Sequence, residues 1–410
     1  MLDNVIKVTA SYRHLKVQKW GERMFCSSKK LLQRQLRQLR RQGSLLLFVL
    51  ILLALLCGVM LPTASQTNAT EKHYLYVGVN GGIEVYDIED GHAHVKTIKI
   101  PNIQGVRGMQ AHSPTGRLYM SYYRGFNDGT GLLAFDLISD KVVWHKHFPP
   151  FADALSMTPD GKKIFMASGE VEETDYFFVI DTATGNLLDK IHIHEGTHNT
   201  IVSLNGKHVY FASVDYNYLT MADAKTHKIL KKIGPFDAPI RPFTINGRET
   251  LVFANIEHLQ GFEVANIKTG KKLYKVAVKG FPYTLTNDVI SHAIGLSPDE
   301  KELWVGGAGK RVFVFDATQM PPKQVASVPL SRWPGWVNFS IDGRYVYTGS
   351  GDVVNAKTRK KVAQIAHSRR FLQIDFANGV PIRDGDIYGL GKVTTTPPPS
   401  TAPTLDFPAL

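Results

Sequence analysis

TPDGKKIFMA (residues 158–167) and, after a short gap, VIDTATG (179–185) decide the reading of this chain. Pro159 presets φ, Asp160 bonds its own backbone, and Gly161 accepts positive φ, so the four residues from Thr158 spell a tight turn. Ile164–Ser168 alternates and is rich in β-branched and aromatic residues, which favours strand over helix. A second strand then ends on Asp181, and Thr184-Gly185 turns the chain into a third.

The same phrase recurs along the chain. Turns precede strands at Ser113-Pro-Thr-Gly116, Ser203-Leu-Asn-Gly206, Thr244-Ile-Asn-Gly247, Ser297-Pro-Asp-Glu300 and Ser340-Ile-Asp-Gly343. Second strands end at Asp87, Asp136, Asp181, Asp223, Asn266, Asp316 and Asn355, each expected to cap its own turn. A short apolar strand precedes each turn, as at Ala154–Met157 and Ala293–Leu296, making four strands per unit. A period of roughly 40 to 50 residues built from strands predicts an all-β, seven-bladed β-propeller over residues 72–391. The first unit, opening at Lys72, lacks its leading strand. Phe371–Phe376, followed by Ala377-Asn378-Gly379, supplies that strand and closes the ring against blade one.

These repeats resemble the YVTN-type β-propeller repeats of bacterial surface and periplasmic proteins. Residues 158–167 with 179–185 carry the resemblance best, followed by Ser297-Pro-Asp with Val314-Phe-Asp. Units four, five and seven lack the Pro, and two end on Asn instead of Asp. The resemblance implies seven blades and an extracytoplasmic setting. It does not choose between structural proteins, binding modules and the few enzymes on this fold.

Charge is concentrated ahead of the ring. Residues 1–43 hold eleven Lys and Arg against Asp3 and Glu22, nine of the chain's twelve net positive charges, leaving three for the rest. No phosphate-binding stripe is expected on the ring, and nucleic acid is not an expected partner. Leu45–Leu61 is an apolar run of 17 residues. It predicts one N-terminal transmembrane or signal-anchor helix over 44–62. The basic segment 1–43 then stays cytoplasmic and the ring faces the periplasm or the exterior. Lys29–Arg41 reads either as a basic amphipathic helix on the membrane or as a solvated charge run. Cleavage near Ala64-Ser65, which would release an exported soluble form, stands beside the uncleaved anchor. Residues 63–71 form a linker, and 392–410 a disordered Pro/Thr-rich tail. Both cysteines, Cys26 and Cys57, precede the ring, so its fold uses no disulfide and no Cys-based metal site.

Sites are sought where loops vary on a rigid scaffold. Short uniform turns occupy one face. The other face carries long, dissimilar loops such as Tyr123–Gly131, Gly169–Asp175 and Gly280–His292. The innermost strands begin at that face, at the mouth of the central channel. Their leading residues nominate Arg107, Asp153, His198, Arg241, His292, Trp336 and Arg370 as ligand-binding. In the resembled family this place often reads Pro-His-Gly, and Asp153, His198 and His292 occupy the His position. Arg107, Arg241 and Arg370 suit an anion clamp. Asp153, His198 and His292 suit a divalent metal. A solvated channel with neither is the third reading, and no other cofactor is expected. His192 and His194 share a strand face and admit a metal clip or a plain outer strand. Tyr122, Tyr123, Tyr216, Tyr218, Trp333 and Trp336 suit stacking on a ligand or packing between blades. No nucleophile elbow, P-loop, dinucleotide fingerprint or HExxH is present.

The expected function is therefore a membrane-tethered or exported binding module for an envelope protein, glycan or small anionic ligand. A lactonase-like hydrolase or lyase with a channel metal, and a docking protein for periplasmic electron transfer, are the alternatives.

Overall fold

The computed structural model describes residues 71–385, apart from 128, 171–172, 282–291, 308 and 369. The chain divides into two units, Met1–Asn68 and Ala69–Leu410, and every described residue belongs to the second. The expected anchor, its cleavage site and the Pro/Thr-rich tail lie outside the described residues. No helix among the described residues is long and apolar enough to cross a membrane.

The fold is all-β: seven antiparallel sheets in chain order, a seven-bladed propeller. Six sheets have four strands, running inner to outer as the chain advances. Burial follows position in the blade. The inner strand Thr197–Val202 is buried throughout, and the middle strand Tyr176–Asp181 is buried along its centre, because neighbouring blades cover both faces. The outer strand Lys141–His147 exposes most of its length. Aromatic rings knit adjacent blades together. Phe177 lies 4.5 Å from Phe211, and Phe262 lies 4.9 Å from Phe315, centroid to centroid. Each such ring removed from water contributes about 1.5–3 kcal/mol.

Turn chemistry sets the register. All seven strand-ending Asp and Asn residues accept backbone N–H bonds from their own turns, for example Thr184 N to Asp181 at 2.8 Å and Thr269 N to Asn266 at 2.8 Å. Gly161 takes φ +69° in its turn, and a Cβ there would lie 2.4 Å from the His112 ring of blade two. The Ser297–Glu300 turn forms as expected without a glycine, and one other turn is displaced. Glu300, standing where other blades have Gly, adopts φ +59° itself. In blade five the tight turn spans Asn246–Glu249 and not Thr244–Gly247. Asn246 Oδ1 accepts from Thr250 N and Leu251 N at 2.9 Å, and Glu249 takes the positive φ.

Closure uses the far end of the chain. Phe371–Ala377 pairs antiparallel with Glu71–Val79, in a register that sets Val77 opposite Phe371. His73 Nδ1 lies 2.8 Å from Asp375 across this seam. Blade one also has a strand the sequence pattern did not announce. Val380–Asp384 adds a fifth strand on the inner side of Phe371–Ala377. Asp384 there accepts a bond from Ser113 N of blade two at 2.7 Å, tying the end of the closing segment to its neighbour.

Candidate functional site at the channel mouth

The inner strands enter the ring at one mouth, and their first residues are held there by distorted pairing. Arg107 falls in a register break between Val106 and Gly108, and His198 in one between Thr197 and Asn199. Arg241 lies in a third, between Ile240 and Phe243. In blade three, Asp153 N and Ala154 O both bond to the backbone of Ala167. Such bulges place an extra residue against one partner and re-aim its side chain.

The re-aimed side chains meet. Arg107 donates from Nε to Asp153 at 2.9 Å and from Nη2 to Glu170 at 2.8 Å. Asp153, wholly buried, also contacts His198 Nδ1 at 2.9 Å. A carboxylate only accepts, so the proton sits on Nδ1 and in the neutral ring leaves Nε2 its lone pair. That Nε2 is buried and has no hydrogen-bond partner among the described residues. Arg241 approaches Glu170 Oε2 at 3.5 Å from Nη1, and its Nε pairs with Glu257. The His292 ring lies 5.6 Å from that of His198 and stands edge-on to Trp336 at 5.5 Å. Arg370, also buried, lays its guanidinium over Trp336, with Cζ 4.2 Å from the ring centre. Its Nε donates to the Arg107 carbonyl, which closes a circuit through six blades, with Arg241 of blade five joined to it through Glu170.

The seven nominated residues are thus brought together, with changed relations. Each arginine has protein partners: Arg107 and Arg241 pair with carboxylates, and Arg370 packs on Trp336. The carboxylate grouped with the two histidines is Glu170. Glu170, His198 and His292 each offer a ligand atom, all within 4.8 Å of one another. Asp153 stands behind His198 instead. His292 reaches His198 across an intervening blade because the inner ends converge on the axis.

Burial works against charge on Arg107, but Asp153 and Glu170 outweigh it and keep the guanidinium protonated. Burial likewise pushes the Asp153 carboxyl up, and Arg107 with His198 overrides it, holding Asp153 well below the usual carboxylate range. Glu170 is pulled down to about 2, first by the charge that His198 carries when protonated and then by Arg107, against burial and the neighbouring Asp153.

Glu170 and Glu257 were not among the sequence candidates. Each follows the second strand of its blade, Lys163–Ala167 and Leu251–Ile256. The signal available was a glutamate just past that strand on the variable-loop face. The other candidates lie elsewhere. His192 pairs with Asp175 at 2.9 Å, while His194 stacks on Tyr216 at 4.4 Å. Among the described residues, neither joins a cluster able to hold a metal. Tyr122 is buried between strands, whereas Tyr123 is exposed beside Phe151.

The fold and site together define a seven-bladed propeller with a charged, aromatic-lined channel mouth. No family model matches the chain, and no curated protein matches it.

Proposed function

We propose that this chain is a non-catalytic binding propeller of the cell envelope, related to the YVTN-type repeat proteins. It is tethered through residues 44–62 and takes its partner at the loop-rich face and channel mouth. One observation carries the reading: residues of six blades form a closed circuit of contacts at one mouth, and Arg241 of blade five joins it through Glu170. Largely buried ion pairs are a costly way to hold a scaffold together, since apolar residues of similar volume often do as well or better. Their concentration at a single opening, opposite the uniform turns, favours recognition over support. The partner classes that suit the mouth are an envelope protein segment, a glycan or a small anionic ligand.

Trp333 and Trp336 flank His292 at 5.5 Å each and serve as reporters. Carboxylates, peptides and oligosaccharides titrated into the full chain should include one that changes tryptophan emission saturably. That response should vanish in Trp336→Phe and weaken in Arg241→Ala. A ligand whose binding survives both changes would place recognition on another face and overturn the reading. Protease added outside intact cells should digest the ring while sparing residues 1–43; protection of the ring refutes the outward topology.

A second reading has its own observation. Asp153 orients His198 as a carboxylate orients the imidazole of an acid–base pair, which favours hydrolysis of lactonase type at the same mouth. Lactone turnover abolished by His198→Ala would favour it over pure binding.

A further inference from the structure

We propose that Glu170, His198 and His292 hold one divalent transition-metal ion at the channel mouth. The proposal deepens the binding reading and rests on it, because the metal would be part of what the mouth presents to its partner.

Geometry comes first. The three ligand atoms come from blades three, four and six and lie within 4.8 Å of one another. Ligands around a tetrahedral ion at about 2.1 Å stand about 3.4 Å apart, so side-chain adjustments that close the separations by up to about 1.4 Å complete the set.

The second observation is independent of that proximity. His198 is 1% exposed, yet among the described residues its Nε2 has no hydrogen-bond partner. Leaving such a buried group unpaired is costly, and buried polar groups nearly always find a partner. Its Nδ1 is held by Asp153 at 2.9 Å, and metal-binding imidazoles characteristically give their other N–H to a carboxylate or a carbonyl. His292 shows the second version of the same arrangement, with Nδ1 3.4 Å from the Gly335 carbonyl. Asp153 is thereby a positioning residue.

Glu170 divides its labour. Oε1 accepts from Arg107 at 2.8 Å. Among the described residues, Oε2 has only longer contacts, at 3.5 Å, with His198 Nδ1 and Arg241 Nη1. One oxygen therefore fixes the carboxylate while the other can bind an ion.

Two imidazoles and one carboxylate are a borderline set. They suit zinc, cobalt, nickel or ferrous iron better than calcium or magnesium, which need more oxygens. Three protein ligands also leave coordination positions open. Among the described residues of this cluster, Arg107, Arg241 and Arg370 match Asp153, Glu170 and Glu257 in number, so a divalent ion would add positive charge to the set. An exogenous anion is the natural further ligand. The metal thus converts a mouth whose arginines are already engaged into an anion receptor.

The test uses the full chain without a polyhistidine tag, purified in mild detergent and stripped with chelator. Zn(II) and Co(II) are titrated by calorimetry, and retained metal is counted after gel filtration. We expect one ion per chain, no binding of Ca(II) or Mg(II), and at least a hundredfold loss of affinity in Glu170→Gln and His292→Ala. Asp153→Asn should weaken binding about 10–100-fold, the usual effect of removing a ligand's supporting partner. Near-UV circular dichroism checks that each variant is folded, and His292→Ala, the change at the least buried of the two histidines, keeps the test valid where others fail. Wild type that retains no ion overturns the proposal. So does metal bound equally by Glu170→Gln and His292→Ala, which assigns it to Cys26, Cys57 or an adventitious site. Tryptophan responses to ligands in chelator-treated protein separate the two claims. If they persist and are lost in Trp336→Phe while no metal binds, the binding reading stands and the metal falls.

Discussion

Asp153→Ala tests whether the buried charges of the mouth act as one unit. The carboxylate accepts two bonds at 2.9 Å, from Arg107 and His198, and has no exposure to solvent. Hydrogen bonds to charged groups contribute about 1.5–3 kcal/mol each. Truncating one partner of a buried ion pair costs about 3–5 kcal/mol when the other charge is orphaned. Arg107 would not be orphaned, because Glu170 still accepts from it at 2.8 Å and Phe151 lies 5.3 Å beneath the guanidinium. The expected loss is therefore about 3 kcal/mol. Asp153→Asn preserves shape and one acceptor, and should lose about half as much. Denaturant unfolding of wild type and variants, followed by near-UV circular dichroism, measures both. Repeating Asp153→Ala in an Arg107→Met background supplies the coupling, since groups sharing one network depart from additivity by about 0.5–3 kcal/mol. A cost below about 1 kcal/mol, or the same cost in both backgrounds, would refute the claim that these residues form one electrostatic unit.

Three further outcomes are expected. His92, buried against Tyr345 and Tyr347 of blade seven, has its pKa lowered to about 4, by burial first and with Arg344 adding to it. The unfolded chain binds the proton more tightly, so this site should cost up to about 3 kcal/mol of stability as pH falls from about 6.5 to 4 and nothing more below that. His92→Asn, which tolerates the positive φ, should flatten that part of the stability–pH curve, and an unchanged slope contradicts the assignment. Leu372→Ala in the closing strand should cost about 2–5 kcal/mol by urea unfolding, and a stop codon replacing Phe371 should give aggregating protein by light scattering, because it bares the edge of Glu71–Val79. Asp181→Ala, which removes a turn cap on the opposite face, should cost about 1 kcal/mol in thermal unfolding while leaving every tryptophan response at the mouth unchanged.

The parts of the fold that were legible are those governed by local chemistry. Thr158–Gly161 and Asp181–Gly185 specify their turns through side chains that bond backbone only two or three residues away. The same reasoning misplaced the blade-five turn, where Asn246 rather than Gly247 organises the backbone. The fifth strand, Val380–Asp384, escaped notice because its partner is the preceding strand and its anchor, Ser113, is 271 residues distant. At the mouth, the inner-strand positions of Arg107, His198 and Arg241 could be read from the repeat. The bulges that turn them inward could not, since a bulge depends on how two strands pair. Glu170 was hidden for a related reason: its role comes from residues in blades two, four and five.

The sequence by itself determined the number of blades, the strand that closes the ring and the face on which loops vary, because repeat period, turn residues and alternation act over a few positions. Only the tertiary structure decided which charges neutralise one another, which histidine nitrogen has no partner among the described residues, and that Glu170 rather than Asp153 stands with His198 and His292. Those facts depend on distances of a few ångströms between blades that the chain separates by tens to hundreds of residues, and closing the ring is what sets such distances.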